Sequence, residues 1–192
     1  MAGEQTTETV TVVRPLKVMA LVCGIISILL IIISIASTEW LTADGNYRQG
    51  LWQDCQDGRD PVCQNNPAKA WIQACAALCI ITLIFATGAT ILTVFGLLSK
   101  NSVWKFRFYR IAMIIMFFCV LCQVISLIVF PAMFMQEIQS LGKSQWMFGW
   151  SYGVGWGAAI FLFGGAILLL MDKESEEIYY REKTYYDNQT DA

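Results

Sequence analysis

Residues 18 to 38 read VMALVCGIISILLIIISIAST, Val18 to Thr38, without one charged side chain. About 20 apolar residues carry a helix across a bilayer, so this stretch is long enough to span. It exceeds the core of a signal peptide, about 7–15 apolar residues. No small-residue cleavage pattern follows it; Glu39-Trp40 does. It therefore reads as a retained first helix. Three more uncharged windows follow: Ala70–Ser99, Ile111–Gln136 and Ser144–Met171, so that 105 of the 192 residues lie in such windows. Charged residues are 15% of the chain, against about 25% in a soluble domain.

The expected fold is an all-α membrane protein, a four-transmembrane helix bundle. The expected division is an N-terminal segment 1–17, spans 18–38, 71–98, 111–134 and 148–171, loops 39–70, 99–110 and 135–147 between them, and a tail 172–192. Pro131 lies near the end of the third span. The chain has no His, which removes His-assisted nucleophiles and His-containing zinc sites. A net charge of −2 without a basic block argues against nucleic acid. No charged residue falls in a span core, which argues against a pump, a coupled transporter or a voltage sensor. No cofactor or metal site is read from the sequence.

Lys and Arg set orientation. Arg14, Lys17, Lys100, Lys105, Arg107, Arg110, Lys173, Arg181 and Lys183 lie on one side of the spans; Arg48, Arg59, Lys69 and Lys143 lie on the other. The bias predicts cytoplasmic N- and C-termini and two extracellular loops. Trp40, Trp71, Trp104 and Trp146 each fall near a span end at the membrane interface, where indole rings settle.

The first extracellular loop holds Glu39-Trp40-Leu41, Gly50-Leu51-Trp52, Cys55 and Cys63. Seven residues separate the cysteines, with Asp57-Gly58 and Asp60-Pro61 between them as turn signals. On the oxidising side such a pair is expected to form a disulfide that closes a strand–turn–strand. The other reading is two free thiols in an unstructured loop. Trp40 suits an interfacial anchor. Trp52 sits mid-loop and needs the membrane surface or a folded loop to pack on; in the folded reading it is the loop's main apolar anchor.

Four helices and a first loop of the form Trp…Gly-Leu-Trp-x-x-Cys…Cys resemble the claudin and peripheral-myelin-protein superfamily, on Trp40, Gly50, Leu51, Trp52, Cys55 and Cys63. Gln73-Ala74 is similar to the claudin pattern as well. Position 75 is Cys where a claudin usually has Arg, the first loop is shorter than in typical claudins, and the chain ends Thr190-Asp191-Ala192 without the Tyr-Val by which claudins recruit scaffolds. Val129-Phe130-Pro131, the run Phe148-Gly149-Trp150-Ser151-Tyr152-Gly153-Val154-Gly155-Trp156-Gly157 and the Tyr-rich tail resemble the adherens-junction branch of claudin-like proteins. The resemblance implies a non-enzymatic organiser of cell–cell junctions at the plasma membrane, with junctional adhesion and cytoskeletal scaffold proteins as partners. An auxiliary channel subunit shares this topology and is the runner-up.

Within the spans, Gly149, Gly153, Gly157 and Gly164 share nearly one face of the fourth helix and permit close helix packing, or lateral self-association as the alternative. Gln123 in mid-helix three is expected to donate an interhelical hydrogen bond. Cys119-Val120-Leu121-Cys122 raises a second alternative function, a membrane thiol oxidoreductase working with the loop pair. Such a thiol pair lies deep in hydrocarbon, and small apolar packing is the simpler reading. The tail has seven acidic against three basic residues and carries Tyr179, Tyr180, Tyr185 and Tyr186, candidate phosphorylation sites for adaptor docking.

Overall fold

A computed structural model gives the fold. It describes the backbone at residues 15–43, 47–56, 62–65, 69–99, 102–140 and 145–190, and the side chains of these except 102–103, 138–140 and 172–190. The elements in chain order are α1 (Pro15–Ala36), β1 (Leu41–Ala43), β2 (Tyr47–Gln49), β3 (Gln53–Gln56), β4 (Val62–Asn65), α2 (Ala70–Leu98), α3 (Ser102–Ser140), β5 (Trp146–Phe148) and α4 (Trp150–Thr190). Four helical stretches are long and apolar enough to cross a membrane: Pro15–Ala36, Ala70–Leu98, Trp104–Glu137 and Trp150–Met171. In hydrocarbon every backbone N–H and C=O must be satisfied within the protein, which makes each uncharged window a helix.

The bundle is built inside out. On α1 the buried positions are Lys17, Ala20, Gly24, Ser27, Ile31 and Ser34, recurring every three or four residues. On α2 they are mainly Ala, Cys, Thr and Gly. The large side chains Leu29, Ile32, Ile84, Phe95, Leu121 and Ile160 point outward. Lipid is as apolar as a core, so burying leucine against a neighbour gains little over leaving it in lipid. Small residues instead let backbones approach.

Hydroxyl groups bind the helices to one another. Ser34 donates to the Ser151 carbonyl of α4 at 2.9 Å, and Ser126 of α3 donates to the Cys75 carbonyl of α2 at 3.1 Å. The Gln123 side chain is buried, and its acceptor Oε1 has no partner among the described residues.

Two expectations are corrected. The third helix runs well beyond 111–134 at both ends, passing through Pro131. A proline inside a helix removes the N–H that would meet the carbonyl four residues back, here Leu127. The Tyr152 hydroxyl of α4 donates to that carbonyl at 2.9 Å, so α3 continues. The glycine stripe also lies off the packed face. A Cβ at Gly153 or Gly164 would meet nothing within 4 Å. The close approaches belong to Gly155, against Leu127 and Ser34, and to Gly165, against Met116 and Ala20. Gly149 precedes α4, and Gly157 faces Leu30 loosely. Spacing by four identifies a face; here the face in the bundle is the one holding Ser151, Gly155, Ala158, Leu162 and Ala166.

Candidate functional site

The α1–α2 and α3–α4 connections contribute to a single sheet. Its strand order is β4-β3-β2-β1-β5, every neighbouring pair antiparallel. The β3–β4 register places Cys55 opposite Cys63, and the two form a disulfide. The expected strand–turn–strand closed by that bond is thus present; the turn signals at 57–61 lie outside the described residues. β5 was not anticipated. Three residues, Trp146–Phe148, are too few to show alternation, yet Leu41, Thr42 and Ala43 pair with Phe148, Met147 and Trp146. The second loop thereby becomes an edge strand of the first.

The sheet is mounted on the end of α1, and the Trp…Gly-Leu-Trp pattern builds the mount. The last carbonyls of a helix have no partner within it. In α1 three of the last four, those of Ile33, Ser34 and Ile35, are met. Ser37 N–H donates to the Ile33 carbonyl, the Trp40 indole Nε1–H to Ser34 at 2.8 Å, and the Trp52 indole Nε1–H to Ile35 at 2.9 Å. Trp40 is wholly buried and packs on Phe130 of α3, ring centroids 4.9 Å apart, and on Tyr152 of α4 at 6.1 Å. Trp52 is 45% exposed.

This reverses two expectations. Trp40 is not an interfacial anchor but the centre of the apolar cluster beneath the sheet, with Leu41, Leu51, Ile72, Phe130 and Phe134. Trp52 is not the main apolar anchor; it closes the rim of the mount. Sequence position places both residues in the loop but says nothing of depth. The indole N–H is what both share, and a helix end provides acceptors for it.

The other motif residues follow from the same junction. A Cβ at Gly50 would lie 2.6 Å from Thr38 Cα, and one at Gly149 would meet the Glu39 carbonyl. The two glycines therefore clamp the Ser37–Trp40 segment between β2 and the start of α4. Gly149 N–H donates to the Trp40 carbonyl at 2.9 Å, and Trp40 N–H donates to the Gln49 carbonyl at 3.0 Å. Ser151 adds a hydrogen bond from its hydroxyl to the Glu39 carbonyl. Leu51 is buried in the same cluster.

Charges tie down the sheet margin. Arg48 Nη1 donates to Glu39 Oε1 at 2.7 Å. Lys69, just before α2, bridges Asp54 of β3, at 3.6 Å, and Glu137 of α3. Burial, then the Asp54 charge and a hydrogen bond to it, hold the Tyr47 hydroxyl well above its ordinary pKa. None of these charged contacts is marked by a motif.

A family model for the PMP-22/EMP/MP20/Claudin family matches residues 16–169, from the start of α1 to the end of the fourth span. The chain belongs to this family. It is similar to "p53 apoptosis effector related to PMP-22" of Danio rerio, 34% identical over 138 residues that cover 71% of each chain. It is similar to Claudin-11 of Mus musculus, 23% identical over 90% of this chain and 91% of that one. It is also 24% identical to the "Lens fiber membrane intrinsic protein" of Rattus norvegicus, over 78% and 87%. In this claudin-family protein the loop motif caps α1 and clamps the strands, a structural use that needs no catalytic group.

The remaining candidates lie elsewhere. Cys119 and Cys122 are buried free thiols; Cys119 packs in mid-bundle with Ile31, Ala86, Ala158 and Leu162, and its thiol points to the Thr82 carbonyl at 3.7 Å. The structure does not bring them to Cys55 and Cys63. Tyr179, Tyr180, Tyr185 and Tyr186 fall on the helical continuation of α4, and their side chains lie outside the described residues. Among the described residues no group of three His, Cys, Asp or Glu could hold a metal ion.

Proposed function

We propose that this claudin-family protein is a non-enzymatic organiser of cell–cell contacts at the plasma membrane, acting through the sheet that its two outer loops share. The observation that carries the reading is the mount. A disulfide-closed, five-stranded sheet is held at one orientation on the bundle by Trp40, Gly50 and Gly149. A surface so fixed offers an adhesive partner a preformed shape and lowers the ordering cost of binding. The family relationship to Claudin-11 supports the junctional setting. The assignment to the adherens-junction branch rests on the resemblance of the Val129-Phe130-Pro131 and Gly149–Gly157 runs, which meet at Trp40 through Phe130 and Tyr152.

The sheet faces outward from the cell, and both termini are cytoplasmic. The acidic tail with Tyr179, Tyr180, Tyr185 and Tyr186 engages junctional scaffold or cytoskeletal proteins once phosphorylated. Gly153 and Gly164, open on the outer face of α4, leave room for lateral self-association in the bilayer. The test is a mosaic epithelium expressing a tagged copy. The tagged protein should concentrate where two expressing cells meet, and a tag after Ala192 should stain only after permeabilisation. Uniform surface staining defeats the junctional reading, and a tail tag visible on intact cells defeats the orientation.

A further inference from the structure

The exposed side chains of α3 form one stripe. Ile111, Ile114, Phe118, Leu121, Ile125 and Ile128 recur at steps of three and four and all face outward, which is the face a spanning helix gives to acyl chains. One step back from Ile111 along this stripe is Arg107, and one further is Trp104, 54% exposed. Arg107 therefore lies on the lipid-facing side, about 6 Å beyond Ile111 at 1.5 Å rise per residue. Trp104 and Arg107 stand in the first turn of the Trp104–Glu137 stretch, the end of a span at which a headgroup contact is made. Its guanidinium lies over the Trp104 ring, 5.4 Å from ring to Cζ. A guanidinium held beside a ring keeps N–H donors for an anion. Arg110, exposed, is its neighbour one turn on.

The charges at the two ends of the bundle are treated differently. At the sheet end, Arg48 is paired with Glu39 and Lys69 with Asp54 and Glu137. At the other end, Lys17 is buried against the Tyr109 ring. Among the described residues no carboxylate reaches Arg107 or Arg110. Two like charges at this spacing repel unless an anion lies between them.

We propose that Arg107 and Arg110, beside Trp104, seat a net-anionic phospholipid headgroup, phosphate together with carboxylate as in phosphatidylserine, at the Lys/Arg-rich end of α3. Arg suits the task because its planar fork meets phosphate oxygens in pairs. The ring of Trp104 sits at the same depth as the glycerol region and fixes the arginine against it. The inference rests on the membrane-spanning bundle but not on which side faces the cytosol.

The test is native mass spectrometry of the full chain, purified in detergent and offered equal amounts of phosphatidylserine and phosphatidylcholine. Wild type should retain phosphatidylserine in about thirtyfold excess, the scale set by two cations at a headgroup. Arg107→Gln with Arg110→Gln should bring the ratio near one. Arg107→Lys, which keeps the charge and loses the fork, should fall between, and gives a reading should the double variant fail to fold. Arg48→Gln, at the sheet end, should keep the wild-type ratio. An unselective wild type, an unchanged double variant, or an equal loss with Arg48→Gln would overturn the proposal. So would complete displacement of the lipid by millimolar inorganic phosphate, which would mark a site for a soluble anion. Both lipids are offered from solution, so the outcome is independent of orientation and of junctional role.

Discussion

The Tyr152 hydroxyl donates a hydrogen bond of 2.9 Å to the Leu127 carbonyl, the acceptor that Pro131 strips of its helical partner. The bond joins α4 to α3 at the level of the Trp40 ring, which packs on Phe130 and Tyr152 alike. A proline that weakens one helix thus becomes a docking point for another. Leaving that carbonyl without a donor costs about 1–3 kcal/mol, so the two positions are energetically coupled. Tyr152→Phe should lower the thermal unfolding midpoint of the detergent-purified protein. Pro131→Ala restores the N–H and should cost less in the Tyr152→Phe background than in wild type. Strictly additive effects in this cycle would mean the hydroxyl is not what supports the Leu127 carbonyl.

The two tryptophans of the loop motif should rank in an order set by depth. Trp40→Ala empties a fully buried aromatic site, a change that costs about 3–5 kcal/mol, and should hold the protein in the secretory pathway. Trp52→Ala loses a half-exposed ring and the bond to Ile35, so surface delivery should fall less. Trp52→Phe, which keeps a ring and loses only the donor, should be milder still, about 0.5–1.5 kcal/mol. Surface biotinylation at matched expression reads the ranking, and equal or reversed effects of the two alanine variants would count against the mount.

Cys55 and Cys63 should behave as one unit. Cys55→Ser and Cys63→Ser should impair surface delivery alike, and the double variant should be no worse than either. Cys119→Ser with Cys122→Ser should leave delivery nearly unchanged, since these thiols only pack. A larger loss in the double loop variant than in the singles would show that the two cysteines act separately.

Glycines divide by what a methyl group would meet. Gly149→Ala drives a Cβ into the Glu39 backbone, and Gly50→Ala drives one against Thr38. Both should disrupt folding, as overpacking typically costs about 1–3 kcal/mol and more against backbone. Gly153→Ala meets open space and should leave the unfolding midpoint unchanged or slightly raised. A Gly153→Ala variant as unstable as Gly149→Ala would place the packed face of α4 elsewhere.

The four spans were legible because hydrocarbon excludes charge, and an uncharged window of 21 residues or more has few other uses. The disulfide hairpin was legible because Cys55 and Cys63 stand at hairpin spacing with turn residues between. The faces of the helices were not. Lipid and core are equally apolar, so Leu29 and Ile31 look alike in sequence although one faces lipid and the other the bundle. The recurrence of Ala20, Gly24, Ser27 and Ser34 was the available signal, whereas the glycine spacing of α4 led to a neighbouring face. Depth was equally hidden, which is why Trp40 and Trp52 exchanged roles. The Lys69 bridge joins positions far apart in the chain, and nothing local announces it.

The central claim is that the outer sheet is the surface that recognises a neighbouring cell. Strand β4 is the edge away from β5, with Val62 and Gln64 outside the mount and outside the disulfide. A Val62→Lys, Gln64→Lys copy should fold, form the Cys55–Cys63 bond and reach the surface in wild-type amount, because neither side chain is buried. Its enrichment at contacts between expressing cells, measured as the ratio of contact to free-membrane fluorescence, should fall toward one. Full enrichment of this variant at normal surface abundance would contradict the claim and move recognition away from the sheet.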